Sequence, residues 1–236
     1  ETVDSYEIGL RGSLFDRRLW ISTAVFYAAY EGQQITTQRV NAVGTSVVSF
    51  VENVGSSTIS GWEFEGRLRM TDRLNASLAL GYVNAEFNEF LAFVPNPAAP
   101  PAFIQVDVAD QRQFQNTPEW TGNFTLTYDQ PLPDGGDLRF LGSVSFRSDS
   151  SMFETPFPDV DQPGYELIDA GVIWTPANSL WRVSLHGRNL TDERYRTGAY
   201  TFAYVPAAPS TIVFGDSVIG FYGPPRTVSL TVEYAF

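Results

Sequence analysis

Glu63 and Glu65 stand two residues apart in WEFEGRLRM. In an extended chain that spacing puts both carboxylates on one face, where paired carboxyl groups can work as general acid and base or as acid and nucleophile. Arg67 and Arg69 continue the same face, so the row also reads as a charged wall against water. His186 is the only histidine; with no cysteine, second histidine or serine motif to build a triad or zinc site, it reads as a polar residue on a wet face. Asp107 with Asp110, and Asp159 with Asp161, could offer the hard oxygen ligands that Ca2+ takes, but they read more readily as solvated loop charge. Gly135-Gly136 has no helix after it to cradle a phosphate, and Pro133 to Asp137 is a hairpin signal. Sequons at Asn75, Asn123 and Asn189 each read as lying inside a strand, hence as chance matches. No nucleophile and base cluster together, so the expectation is that the chain is not an enzyme, with no catalytic residue, metal site or cofactor. Late in the chain Tyr200, Phe202, Tyr204, Phe214 and Tyr222 are spread among small residues and prolines. Such aromatics can stack on a ligand, pack the loop on itself or sit in a membrane interface; Tyr200, Phe202, Tyr204 and Tyr222 are the ligand-contact candidates.

The elements that must carry these residues are strands. In RTVSLTVEYAF, Val228, Leu230, Val232, Tyr234 and Phe236 alternate with Thr227, Ser229, Thr231, Glu233 and Ala235, a period of two. The same alternation runs through Val3 to Phe15, with Tyr6, Ile8 and Leu10 on one face. It returns through Ser56 to Met70, where Trp62, Phe64, Leu68 and Met70 oppose the four charges. Leu74 to about Phe90, Trp120 to Tyr128, Leu138 to Phe146, Gly164 to Thr175 and Leu180 to Leu190 repeat it. Leu19 to about Gln38 is a strand of muddier phase, apolar on both faces around Phe26 and Tyr27. That makes nine strands.

Tight connections are expected at Asp16-Arg17-Arg18, Thr71-Asp72-Arg73, Pro133 to Asp137 and Pro176 to Ser179. Longer ones are expected at Asn41 to Gly44, Leu91 to about Thr117, Ser148 to Pro163 and Thr191 to Pro225. Leu91 to Thr117 holds the Pro-rich piece Pro95 to Pro101, which cannot donate to a ladder, so the segment reads as an irregular loop within one domain. Short and long connections alternate, which sets tight turns at one rim and long loops at the other: an antiparallel up-and-down barrel rather than a sandwich. Nine strands leave the first and last parallel, so the expectation is a larger barrel with more strands on the N-terminal side.

The 236 residues carry a net charge of -12, with 15 basic against 27 acidic residues, which argues against nucleic acid as a partner. The absence of cysteine removes disulfides and thiolate ligands. Mean hydropathy is -0.12 and no apolar run is long enough for a membrane helix, so a membrane role requires a barrel. Glu1 to Asp4 has no signal-peptide pattern, which predicts a mature or truncated chain.

Five stretches resemble the C-terminal part of the TonB-dependent receptors of the Gram-negative outer membrane. They are DSYEIGLRGSLFDRRLWISTAVFYAAY (4–30), VENVGSSTISGWEFEGRLRM (51–70), FQNTPEWTGNFTLTY (114–128), WRVSLHGRNLTDERYRT (181–197) and GPPRTVSLTVEYAF (223–236). The resemblance implies that residues 1–236 are the C-terminal portion of a 22-stranded barrel domain, strands fourteen to twenty-two. It implies outer-membrane lipid around it, a TonB energy-transducing complex engaged through a preceding plug-bearing part, and barrel-assembly machinery that reads the terminal Phe236. Its implied cargo is an iron-siderophore, cobalamin or a carbohydrate. The other reading left open is a small self-contained outer-membrane barrel serving as pore, adhesin or anchor.

Overall fold

A computed structural model describes residues 1–40, 47–96, 103–202 and 217–235. Among the described residues there are twelve strands: β1 (Thr2–Leu14), β2 (Leu19–Val40), β3 (Val47–Arg69), β4 (Leu74–Pro95), β5 (Phe103–Asp107), β6 (Trp120–Pro131), β7 (Asp137–Arg147), β8 (Tyr165–Thr175), β9 (Trp181–Arg188), β10 (Arg196–Phe202), β11 (Ser217–Tyr222) and β12 (Thr227–Tyr234). Nine of them form one antiparallel sheet in the order β1-β2-β3-β4-β6-β7-β8-β9-β12. These are the nine strands expected from the alternation, and the fold is a continuous stretch of up-and-down barrel wall. Among the described residues β1 pairs only with β2 and β12 only with β9, so the wall is open.

The tight turns follow from local chemistry. Phe15, Asp16 and Arg17 all have positive φ (53, 54 and 65), the left-handed geometry that lets a short link follow the twist of its flanking strands. At the β6–β7 turn Gly135 has φ 86, and the Asp134 carboxylate accepts the Gly136 N–H at 3.0 Å.

The regions read as long loops hold more order than expected. β3 begins at Val47 rather than near Ser56, because its ladder with β2 continues beyond a bulge near Gln33 to Val40 opposite Val47. Asn41 to Gly44 lies outside the described residues. Leu91 to Thr117 is not irregular throughout: Leu91–Pro95 extends β4 and pairs with β5, and Ala109–Gln111 forms a single 3-10 turn. Pro95 closes the described ladder opposite Phe103, and 97–102 lie outside the described residues. The segment after β9 likewise contains a hairpin of its own, β10 with β11.

A single sheet has two faces and almost no interior. Phe90, Val108, Met152 and Val160 are the buried apolar side chains among the described residues, and all four belong to the loop rim. The apolar faces of the edge strands lie open, as with Ile8 at 73% and Leu230 at 67% exposure. A contiguous apolar surface of this kind is unusual on a chain that rests against water.

Candidate functional site: the polar wall and the loop cluster

Register assigns every strand residue to a face. On one face Tyr6, Tyr27, Trp62, Tyr82, Trp120 and Phe146 cluster towards the loop rim, while Tyr128, Phe140, Trp174, Trp181 and Tyr234 cluster towards the turn rim. Tyr82 and Trp120 lie 4.8 Å apart and Trp181 and Tyr234 4.6 Å apart, centroid to centroid. Leu78, Leu80, Phe124, Leu126, Val144, Val172 and Leu185 fill the band between. From Trp120 to Tyr128 along β6 is about 26 Å at about 3.3 Å per residue. Strand tilt reduces that to roughly the height of the apolar band of a membrane barrel.

The opposite face is wet. Glu63 and Glu65 lie here beside Glu7, Arg11, Trp20, Thr121 and Asn123, around a hollow of about 550 Å³. Their ladder neighbours are small: Ala24 and Gly81 flank Glu63, while Ser22 and Ala79 flank Glu65. The two carboxylates therefore face open space along with the charged row Arg67 and Arg69, as the charged-wall reading expects. Ion pairs join Arg139 to Asp129 (2.6 Å) and Arg182 to Glu233 (3.8 Å) on this face near the turn rim.

Phe26 explains the muddled phase of β2. It points to the wet side and lies over Gly61, where a Cβ would overlap its ring, while Tyr27 points to the apolar side. His186 is likewise on the wet face, its imidazole packed against Gly171, which has no side chain to displace it.

One aspartate of each acidic pair acts as a backbone cap. Asp107 Oδ1 accepts N–H groups from Phe90 (2.9 Å) and Ala109 (3.0 Å), which hold the Asp107 pKa below its ordinary value. Asp161 Oδ1 accepts from Met152 N–H at 3.1 Å. Among the described residues no group of three or more His, Cys, Asp or Glu is placed to hold a metal ion.

Of the aromatic candidates, Tyr200 lies on β10 and meets Phe221 edge to face at 5.6 Å. Tyr222 lies at the end of β11, where Arg194 stacks over its ring at 4.2 Å. Tyr200 is paired with Ile219, and Tyr222 lies three residues on from Ile219 along β11, so Tyr200 and Tyr222 lie on opposite faces of the hairpin. Phe202 pairs with Ser217 in the ladder. Tyr204, Phe214 and Phe236 lie outside the described residues.

Sequence reasoning passed over the residues that tie the loop rim together. Asn75 and Asn123 sit inside β4 and β6 as expected, but Asn189 lies just past β9, 4% exposed and with φ 49. Its Nδ2 donates to the carbonyls of Glu193 (2.8 Å) and Pro224 (3.1 Å), and its Oδ1 accepts the Glu193 N–H (2.8 Å). Asp192 Oδ1 accepts the Arg226 N–H at 2.8 Å. The two side chains thus staple the end of β9 to the start of β12. Tyr195, stacked on Tyr165 at 4.5 Å, has its hydroxyl pKa raised by burial. The run N-L-T-D-x-x-Y was the visible signal; what it does needed the coordinates.

Comparison with known proteins agrees with this architecture. A family model described as TonB dependent receptor-like, beta-barrel, matches residues 1–190. The siderophore receptor PiuA from Acinetobacter baumannii superposes with a TM-score of 0.69 at 20% identity, covering 98% of this chain and 28% of that one. The ferric yersiniabactin uptake receptor FyuA from Yersinia pestis does so with 0.66 at 17%, covering 99% and 30%. The FrpB iron transporter from Neisseria meningitidis gives 0.62 at 17%, covering 98% and 31%. The chain thus spans under a third of the length of these solved structures, and the likeness is one of fold. With four-fifths of its length matched by the family model and a two-faced antiparallel wall as its fold, the chain belongs to the TonB-dependent receptor β-barrel family.

Proposed function

We propose that residues 1–236 form the C-terminal portion of the barrel domain of a TonB-dependent importer in the outer membrane of a Gram-negative bacterium. The observation that carries this reading is the division of one nine-stranded wall into an apolar, girdled face and a charged, water-facing one, with all the long connections at one rim. In this reading the loop rim faces outward and captures a scarce nutrient, with an iron-siderophore favoured by the names of the similar structures and cobalamin or a carbohydrate as further cargo classes. Tyr200, Phe202, Tyr204 and Tyr222 are the proposed ligand contacts. The polar wall lines the passage, the TonB complex supplies energy through a preceding part of the protein, and the terminal strand ending at Phe236 addresses the barrel-assembly machinery. The protein transports and catalyses no covalent chemistry.

The test begins with the native polypeptide carrying this sequence, taken from its source. Its intact mass in the outer-membrane fraction should be several-fold above 26.2 kDa. Disrupting its gene should abolish uptake of one probe among 55Fe-siderophore complexes, 57Co-cobalamin and labelled oligosaccharides, and an uncoupler should abolish the same uptake in the intact strain. A native mass near 26.2 kDa, or uptake indifferent to the uncoupler, overturns the reading.

A further inference from the structure

We infer that four loop-rim stretches, Gln113–Asn116, Ser148–Gly164, Asn189–Phe202 and Ser217–Arg226, move as one body, with the β7–β8 connection as keystone and Arg196 as its outer clasp. This goes beyond the transport reading and does not depend on it.

The β7–β8 connection first closes on itself. Ser150 and Gln162 exchange backbone hydrogen bonds, both at 2.9 Å, and Asp161 Oδ1 accepts from Met152 N–H. Met152 and Val160 are buried between these arms, as is the Gln162 side chain, 5% exposed. It is therefore a folded unit, and its two flanks are bonded to different neighbours.

On one flank the segment before β6 runs alongside it. Gln113 N–H donates to the Glu154 carbonyl (2.9 Å), Gln113 Nε2 to the Phe153 carbonyl (3.4 Å) and Asn116 N–H to the Ser151 carbonyl (2.8 Å). Phe114, between them, stacks on Phe87 of β4 at 4.3 Å, anchoring this strip to the wall. On the other flank the start of β10 grips the keystone. Arg196 N–H donates to Gln162 Oε1, and Arg196 Nη1 donates to the Asp161 carbonyl at 2.7 Å. Gln162 Nε2 donates to the Pro163 carbonyl, so the buried amide is satisfied on both ends. Arg196 pairs with Tyr222 across the β10–β11 hairpin, and Asn189 reaches Pro224, so the clasp carries the hairpin and the start of β12 with it.

These bonds join groups far apart in sequence, and most are shielded from water. Opening the Arg196 flank alone would leave Gln162 Oε1 and the Asp161 carbonyl without their partner, and opening the other flank alone would leave the Ser151, Phe153 and Glu154 carbonyls without theirs, penalties that keeping the body closed as a unit avoids. A rim built this way opens by a hinge of the entire body and not by one loop folding back.

Native-state hydrogen exchange on the full native protein in detergent micelles tests this. In the unmodified protein the amides of Gln113, Asn116, Ser150, Gln162 and Arg196 should exchange through one opening, with a common free energy and a common denaturant dependence. In Arg196→Ala, exchange at Gln113 and Asn116, on the far flank, should rise by about tenfold or more, with the β6–β7 ladder unchanged and Arg196→Lys partly restoring protection. Two separate openings in the unmodified protein, or an Arg196→Ala effect confined to 161–162 and 196, would overturn the inference. Should Arg196→Ala not assemble, the measurement on the unmodified protein decides alone.

Discussion

The indole Nε1 of Trp62 donates to Thr23 Oγ1 at 2.8 Å, and the same hydroxyl donates to the Glu63 carbonyl at 2.8 Å. Thr23 is a polar residue on the apolar face, tolerated there because both of its hydrogen-bonding roles are filled. Thr23→Val removes the acceptor and leaves the indole N–H facing lipid, so we expect a loss of about 1 kcal/mol. Thr23→Ser should lose much less. Denaturant unfolding of the native barrel in micelles checks it; equal stability of Thr23→Val and wild type would show that the bond contributes nothing.

Facing is tested by charge. Phe124 lies mid-band on the apolar face and Thr125 beside it on the wet face. Phe124→Arg should destabilise the inserted barrel by about 2–4 kcal/mol, whereas Thr125→Arg should assemble normally. The ratio of folded to unfolded band in a heat-modifiability gel reads both, and a reversed order would mean the faces are exchanged.

Two glycines give a paired prediction. A Cβ on Gly122 would overlap the Phe146 ring, while one on Gly142 meets nothing within 4 Å. Gly122→Ala should cost about 1–3 kcal/mol by displacing that ring, and Gly142→Ala should be close to neutral. Thermal melts of the two variants side by side suffice, since similar melting points would refute the packing argument.

Two carboxylates of the loop rim respond to acid in opposite senses. Asp107 has its pKa depressed by the Phe90 and Ala109 N–H groups, so its contribution is complete above the ordinary carboxylate value of about 4 and is lost as pH falls through its lower folded value. Glu154, half-buried, has its pKa raised by desolvation against the opposing pull of Arg112. It favours the folded loops at low pH, and that support fades as pH rises from about 4 through its folded value. Amide exchange at Phe90 should accelerate below about pH 4 in wild type and lose that response in Asp107→Asn. Glu154→Gln should flatten the pH dependence of Gln113 exchange. Unchanged profiles in both variants would contradict these assignments.

The nine-stranded wall was legible because period-two alternation is a property of each strand alone: Val228, Leu230 and Val232 declare their face without knowing their neighbours. Where the pattern blurred, as at Phe26, the cause was a partner, Gly61, that lies far along the chain. The order within the loop rim was hidden for the same reason. Nothing local to Gln162 announces that it will accept from Arg196, and β5, β10 and β11 are short strands flanked by prolines or by each other, with no long alternation to mark them. Asp107 and Asp161 read as solvated loop charge, because composition shows a carboxylate's charge but not the N–H groups it caps. For Tyr200 and Tyr222, sequence supplied the residue type, while the pairing of Tyr200 with Ile219 that sets them on opposite faces belongs to the hairpin.

The small β10–β11 hairpin bears on how the wall is built. Arg188 and Thr227 must find each other across the whole last connection, and closing a loop costs entropy that grows with its free length, by about 0.6 kcal/mol per doubling. A hairpin that forms early takes its residues out of that free length, as β5 paired on β4 would ahead of β6. These ribbons shorten the search that the terminal strand must complete, so loosening them should slow the last step of assembly more than it weakens the finished barrel.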